Sequence, residues 1–120
     1  AAFASVEPNR LAVMAWHYHD DDVAGPEAAV DLAVAGLPAA VRQATVTHYR
    51  IDENRSNAYA AWKRMGSPIA PTRQQYDELE AASRLAVLEE PRSASATDGT
   101  LALTFALPRQ AVSLVTIEWE

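Results

Sequence analysis

An alternation of apolar and polar residues with a period of two recurs along most of this chain and restricts its fold more than any other feature. Between 27 and 35, Val30, Leu32 and Val34 alternate with smaller or polar residues, as in an antiparallel strand buried on one face. The segment 10–17 is apolar at nearly every position, which predicts a strand buried on both sides. The chain is therefore expected to form β-sheets.

Other segments repeat this period. Further strands are expected at about 3–6, 42–51, 93–97, 101–105 and 111–119. Which face of 42–51 is buried stays open. Asp98-Gly99 predicts a hairpin turn, because both central positions of such a turn need a positive φ, and the final strands are expected to pair locally. Six or seven strands favour a mainly β fold, an antiparallel two-layer β-sandwich.

The period changes to that of a helix between about 55 and 85. Ala58, Tyr59, Trp62 and Met65 share helical spacing, and Thr72 with Gln75 forms a capping-box pattern before a second helix. We expect a helical hairpin inserted into a single β-sandwich domain that spans 1–120.

The charge balance and the absent motifs exclude several functions. Lys and Arg number 10 against 16 Asp and Glu, so nucleic acid and anionic membranes are unfavourable partners. There is no cysteine, which excludes disulfides and thiolate metal sites, and no apolar run approaches the roughly 20 residues that span a membrane. There is no Gly-x-Ser-x-Gly elbow to suggest a catalytic triad and no glycine-rich phosphate loop, and we expect no cofactor. The first five residues contain neither an initiator Met nor a signal-peptide pattern, and we expect a chain excised from a longer protein.

The densest polar cluster is His17-Tyr18-His19-Asp20-Asp21-Asp22. On a strand, His17 and His19 project to the same face, so two imidazoles and a carboxylate could share a divalent metal. Most such clusters lack the ligand number and geometry of a metal site. We therefore favour an exposed strand end with a solvated acidic loop, and no metal site is assigned.

A second polar cluster follows the strand at 42–51. Asp52 and Glu53 are adjacent carboxylates, whereas a glycosidase needs two that face each other at about 5 Å or more. Adjacent side chains at a strand end usually point apart. We interpret Arg50, Asp52 and Arg55 as an ion-paired brace between strand and helix.

Aromatic residues suggest a sugar-binding alternative. The candidates for stacking on sugars are Trp16, Tyr18, Tyr49, Tyr59, Trp62, Tyr76 and Trp119. The helical spacing of Tyr59 and Trp62 favours packing instead, on this domain or on a neighbouring one.

Four segments carry more specific information than the periodicity does. They are WHYHDDD at 16–22, THYRIDENRSNAYAAWKRMGSP at 47–68, PTRQQYDELEAASRL at 71–85 and LPRQAVSLVTIEW at 107–119. Together they closely resemble the carboxy-terminal region of bacterial β-xylosidases of glycoside hydrolase family 39, which also includes α-L-iduronidases. The resemblance covers nearly the whole chain and is most specific in the second segment.

This resemblance implies a parent enzyme that cleaves xylosides with retention, in the bacterial cytoplasm or periplasm. Its catalytic (β/α)₈ barrel holds an acid/base Glu in an Asn-Glu-Pro string and a second, nucleophilic Glu. Here Glu7-Pro8-Asn9 lacks the preceding Asn, so no catalytic residue is carried over. The region present here is implied to be a β-sandwich beside the barrel, with its helical segment leaning toward it.

We therefore expect a non-catalytic accessory domain of a retaining β-xylosidase. Its docking surface for the barrel would comprise Tyr59, Trp62, Arg64 and Met65, an expectation that fails if Trp62 is fully buried within the sandwich. The alternative is a carbohydrate-binding β-sandwich module with a xylo-oligosaccharide as its ligand. A second rival is an independent hydrolase that uses Asp52, Glu53 or the acidic run at 20–22.

Overall fold

The computed structural model describes residues 1–20 and 23–120. These residues form β1 (Ala2–Glu7), β2 (Arg10–Trp16), β3 (Ala28–Val34), β4 (Gln43–Ile51), α1 (Ala58–Arg64), α2 (Arg73–Ala82), β5 (Ala86–Val87), β6 (Arg92–Ser95), β7 (Leu101–Leu107) and β8 (Val112–Glu118). All seven predicted strands are present. The described chain has an eighth strand, β5, which with two residues is too short to produce a sequence period.

The strands form two antiparallel sheets, which confirms the predicted fold class. The larger sheet has the order β1-β2-β8-β4, and both β5 and β6 pair with the far edge of β4; the smaller sheet is β3-β7. On β4, β6 pairs with residues 43–46 and β5 pairs with Tyr49 and Arg50. The fold is a β-sandwich-like arrangement in which one layer is much wider than the other.

The core lies between the inner faces of the two sheets. Its principal cluster comprises Leu11, Val13, Val34, Leu37, Ala44, Val46, Leu101, Leu103, Val115 and Ile117. Burial alternates along β2, where Leu11, Val13 and Ala15 are buried and the residues between them are half-buried. The prediction that β2 is buried on both faces is therefore only partly correct.

The last strand, β8, is the centre of the larger sheet. It pairs with β2 on one side and β4 on the other, and not with β7, so the expectation of local pairing was wrong. Ser113, Val115 and Ile117 face the core and are at most 2% exposed. The chain end is thus held by non-local pairing.

The Asp98-Gly99 turn forms as predicted, but the strands around it separate. Thr97 and Thr100 exchange both backbone hydrogen bonds, and Asp98 and Gly99 have φ values of 53° and 74°. Beyond this pair, β6 joins the larger sheet and β7 joins the smaller one. The turn therefore connects the two layers instead of closing a hairpin.

Both helices are capped by the residues that the sequence offers. The Asn57 side chain accepts the Ala60 amide, and α1 ends where Gly66, at φ 91°, directs the Ser67 amide back to the Trp62 carbonyl. Thr72 and Gln75 form the predicted capping box of α2.

The two helices form an arm, here called the helical arm, between β4 and β5. They contact each other, and neither packs along a sheet. The molecule measures 56 × 31 × 20 Å with a radius of gyration of 17.3 Å, against about 13–14 Å for a compact chain of this length. The Ser56 hydroxyl fastens the base of the arm, since it donates to the Arg50 carbonyl and accepts the Ala86 amide. Neither helix of the described residues is long and apolar enough to cross a bilayer.

Candidate functional site

The predicted docking residues lie together on α1 and at its end. Tyr59 is 65% exposed, and its ring stacks on Trp62 with centroids 5.9 Å apart. Trp62 is half-buried, and its indole N–H donates to the Pro68 carbonyl within the helical arm. Met65 is half-buried and Arg64 is exposed. Trp62 is therefore not fully buried within the sandwich, so the condition under which this docking expectation would fail is not met.

A second apolar surface covers the side of the larger sheet that faces away from the core. We call it the outer face, and it comprises Phe3, Met14, Trp16, Tyr49, Ile51, Val112 and Leu114. The register places Phe3 beside Met14, and Leu114 between Met14 and Tyr49, so these side chains adjoin across four strands. Phe3 is 57% exposed and Ile51 42%. In the described chain neither helix packs along this face.

Sequence reasoning missed the outer face because it could not decide which side of β4 is buried. Ala44, Val46, His48 and Arg50 point to the core, although two of these residues are polar. The sequence feature that indicated a second contact face was the apolar character of β2 at nearly every position.

A buried polar network joins β4 to β8 on the inner side of the sheet. The Ser113 hydroxyl lies 2.8 Å from His48 Nε2 and accepts the Arg50 Nε–H at 2.9 Å. Arg50 Nη2 also donates to the Ala106 carbonyl on β7 at 3.0 Å. Arg50 therefore ties the larger sheet to the smaller one.

The protonation of this network follows from its burial. Burial, with the adjacent Arg50 cation as the second cause, lowers the pKa of His48 to about 4. A neutral His48 can accept the Ser113 O–H at Nε2 while Ser113 accepts from Arg50, so the Ser113 hydroxyl is used both as donor and as acceptor. Ser113 is completely buried, and this serine–histidine contact is structural, since a nucleophile must be reached by its substrate.

The predicted brace is present in part. Asp52 accepts Arg55 Nη1 at 2.9 Å and the Asn54 amide at 2.8 Å, and its side chain is 9% exposed. Arg50 makes no ion pair among the described residues, so its inclusion in the brace was wrong. It lies on the inner face of β4, where Ser113 and the Ala106 carbonyl take its donors.

A cleft of about 660 Å³ opens beside this network, between β4 and β7. Its apolar residues include Val46, Leu103 and Phe105, and its charged residues are Glu27, Arg50, Asp52, Arg55, Glu89 and Arg92. Three of these side chains are acidic and three are basic, so the cleft has no strong preference for a cation or an anion.

The two histidines of the first cluster converge. His17 Nε2 and His19 Nε2 lie 2.8 Å apart, and His17 Nδ1 lies 3.0 Å from the Leu107 carbonyl oxygen. Asp20 is exposed, and Asp21 and Asp22 lie outside the described residues. Within the described part, no group of three or more His, Cys, Asp or Glu side chains is placed to hold a metal.

Two close pairs of aromatic rings among the described residues are not arranged as a flat platform of the kind that would stack on a sugar. Phe3 and Trp16 meet edge to face at 63°, and Tyr59 stacks on Trp62 instead of lying beside it in one plane. Lys63 Nζ lies 5.3 Å from the centre of the Tyr59 ring.

Comparison with known proteins supplies the family. The sequence pattern of glycosyl hydrolases family 39 matches residues 4–101, most of the chain. The chain belongs to glycosyl hydrolase family 39. A β-xylosidase of Geobacillus stearothermophilus is 32% identical over 82 residues, which cover 68% of this chain and 16% of that protein. The resemblance carried by the sequence motifs is thus confirmed.

Solved structures of family 39 proteins share the fold. The GH39 enzyme of Xanthomonas axonopodis pv. citri superposes with a TM-score of 0.81 at 20% identity, over 98% of this chain and 25% of that one. A monomeric β-xylosidase of Caulobacter crescentus CB15 gives 0.74 at 22% identity, over 98% and 26%. The family 39 chain described here therefore spans about a quarter of these structures' length.

Proposed function

We propose that this chain is a non-catalytic accessory domain of a retaining β-xylosidase, in which it packs against the catalytic (β/α)₈ barrel. The observation that carries the proposal is the helical arm, which presents Tyr59 to solvent and does not pack along either sheet. The family 39 relatives are about four times as long as the chain, so a larger body is available to cover this surface.

The carboxylates support a structural role. Retaining glycosidases use two carboxyl groups about 5–5.5 Å apart as acid/base and nucleophile. Asp52 is engaged by Arg55 and the Asn54 amide, and Glu53 is an exposed turn residue. We propose that neither takes part in xyloside cleavage and that the catalytic pair lies in the part of the enzyme outside this chain.

The docking surface is proposed to comprise Tyr59, Trp62, Arg64 and Met65. Exposed tyrosine and tryptophan side chains contribute strongly when an interface buries them, with losses of about 2 kcal/mol or more on truncation. The neighbouring Arg64 supplies a donor that can reach polar groups at the rim of the contact.

A matched pair of tyrosines tests the docking. Tyr59 on α1 and Tyr76 on α2 are 65% and 59% exposed, so they match in exposure, although Tyr59 also stacks on Trp62. In the complete enzyme, Tyr59→Ala is expected to lower the free energy of unfolding by about 2 kcal/mol, and Tyr76→Ala by less than about 0.5 kcal/mol. Urea denaturation followed by tryptophan fluorescence measures both. Equal effects of the two substitutions would refute docking through α1.

The catalytic part of the proposal has its own test. Asp52→Asn and Glu53→Gln in the complete enzyme should each change kcat/KM for an aryl xyloside by no more than about twofold, because neither group stabilises the transition state. A loss of several orders of magnitude would place the chemistry in this chain. Quenching of the tryptophan fluorescence of the 120-residue chain by xylo-oligosaccharides would support the carbohydrate-binding alternative instead.

A further inference from the structure

We propose that His17 and His19 form a binding site for a late first-row divalent metal ion, with Cu²⁺ and Ni²⁺ preferred to Zn²⁺. The proposal revises the assignment made from sequence, which left the site without a metal. It does not depend on the docking proposed above.

The first ligand is oriented by its second ring nitrogen. A carbonyl oxygen can only accept, so the contact of 3.0 Å between His17 Nδ1 and the Leu107 oxygen places a proton on Nδ1. The neutral ring then presents the Nε2 lone pair, which is the arrangement that metal-binding histidines usually have.

The second ligand is fixed through its backbone. Gln110 Oε1 accepts the His19 amide at 3.3 Å, and Gln110 Nε2 donates to the His19 carbonyl at 2.6 Å. The Gln110 side chain, which lies just before β8, thus holds the backbone of His19 beyond the end of β2. These two contacts fix the backbone of His19, from which its imidazole extends.

The distance between the two ligating atoms selects the coordination geometry. With metal–nitrogen bonds of about 2.0 Å, two ligands at 90° lie about 2.8 Å apart, and two at the tetrahedral angle lie about 3.3 Å apart. The Nε2 atoms are 2.8 Å apart. In the metal-free pair this spacing is that of a hydrogen bond. The right-angled positions of a tetragonal Cu²⁺ or Ni²⁺ centre would preserve it, whereas tetrahedral Zn²⁺ would require the two nitrogens to separate by about 0.5 Å.

Binding replaces the hydrogen bond between the two rings. In the metal-free pair, His19 Nε2–H donates to His17 Nε2, and on binding His19 adopts the tautomer with its proton on Nδ1. The described residues supply two ligands, since no third His, Cys, Asp or Glu joins them there. Water completes the coordination shell, and the site is open to exchange.

The test uses three variants of the chain. His17→Asn keeps a donor for the Leu107 carbonyl but removes the ligating nitrogen, and His19→Ala leaves the backbone contact with Gln110 intact. Tyr18→Phe is the control, because Tyr18 lies between the two ligands in the sequence and its side chain is 70% exposed. Calorimetry with Ni²⁺ and Zn²⁺, and electron paramagnetic resonance with Cu²⁺, measure the binding.

We expect one equivalent of Cu²⁺ with hyperfine coupling to two imidazole nitrogens, and tighter binding of Ni²⁺ than of Zn²⁺. Each ligand variant should lose affinity by about tenfold or more, while Tyr18→Phe binds as the parent chain does. The proposal is overturned if no metal binds, if the affinity is unchanged in the His17→Asn, His19→Ala double variant, or if Ca²⁺ binds equally well. The last outcome would assign the site to carboxylate oxygens.

Discussion

The buried histidine of β4 makes the stability of this fold depend on pH in a defined direction. In the folded state the pKa of His48 falls to about 4, because the side chain is buried beside Arg50. Arg92 lowers this pKa further, and Glu89 partly opposes the shift. In the unfolded chain the pKa of His48 returns to its ordinary value of 6.5. Between pH 6.5 and 4 the unfolded state therefore binds more protons than the folded state, and stability falls as the pH is lowered.

The magnitude follows from the same two values. The pKa of His48 is 6.5 in the unfolded chain and about 4 in the folded one. Lowering the pH from 7 to 4.5 therefore removes about 2 kcal/mol of folding stability. His48→Gln eliminates this contribution, since glutamine does not titrate and its amide oxygen can accept the Ser113 O–H. Comparison of the two proteins cancels the carboxylates that titrate in the same range.

The assay is urea denaturation of both proteins at a series of pH values. When the pH is lowered from 7 to 4.5, the wild type should lose about 2 kcal/mol of unfolding free energy relative to His48→Gln. Parallel pH profiles would refute the reasoning, and so would a wild type that gains stability at acid pH relative to the variant. The second result would mean that protonated His48 is stabilised by a carboxylate in the fold.

Two further substitutions test local backbone features. Gly99→Ala should destabilise the fold by more than Gly36→Ala. Both glycines have a positive φ, which strains an alanine at either position. A Cβ at Gly99 would in addition lie 2.9 Å from the Leu37 carbonyl oxygen, whereas a Cβ at Gly36 would meet nothing within 4 Å. Thermal denaturation of both variants measures the difference, and equal losses would exclude the steric contribution. Thr72→Ala should speed amide hydrogen exchange in α2 by an amount equivalent to about 1 kcal/mol, because the alanine cannot cap the helix. Thr72→Ser should exchange at nearly the wild-type rate. Unchanged exchange in the alanine variant would contradict the capping role.

The sequence by itself determined the elements and the family. Period-two alternation identified seven strands, and the change to helical spacing with the Thr72–Gln75 capping box located the two helices. These features depend on neighbours within about one turn or a few residues, so their physics is local. The strings at 16–22 and 47–68 carried the family resemblance for the same reason, since they are read directly from the chain.

Only the tertiary structure decided which strand face is buried and which polar groups meet. On β4, Tyr49 and Ile51 share one face while His48 and Arg50 share the other, and local hydrophobicity favours burying the first. The pairing with β8 sets the opposite outcome, because Ser113 offers the buried hydroxyl that His48 and Arg50 require. That partner lies more than 60 residues away in the sequence. No local pattern could have supplied it, and the outer face and the network both follow from this pairing.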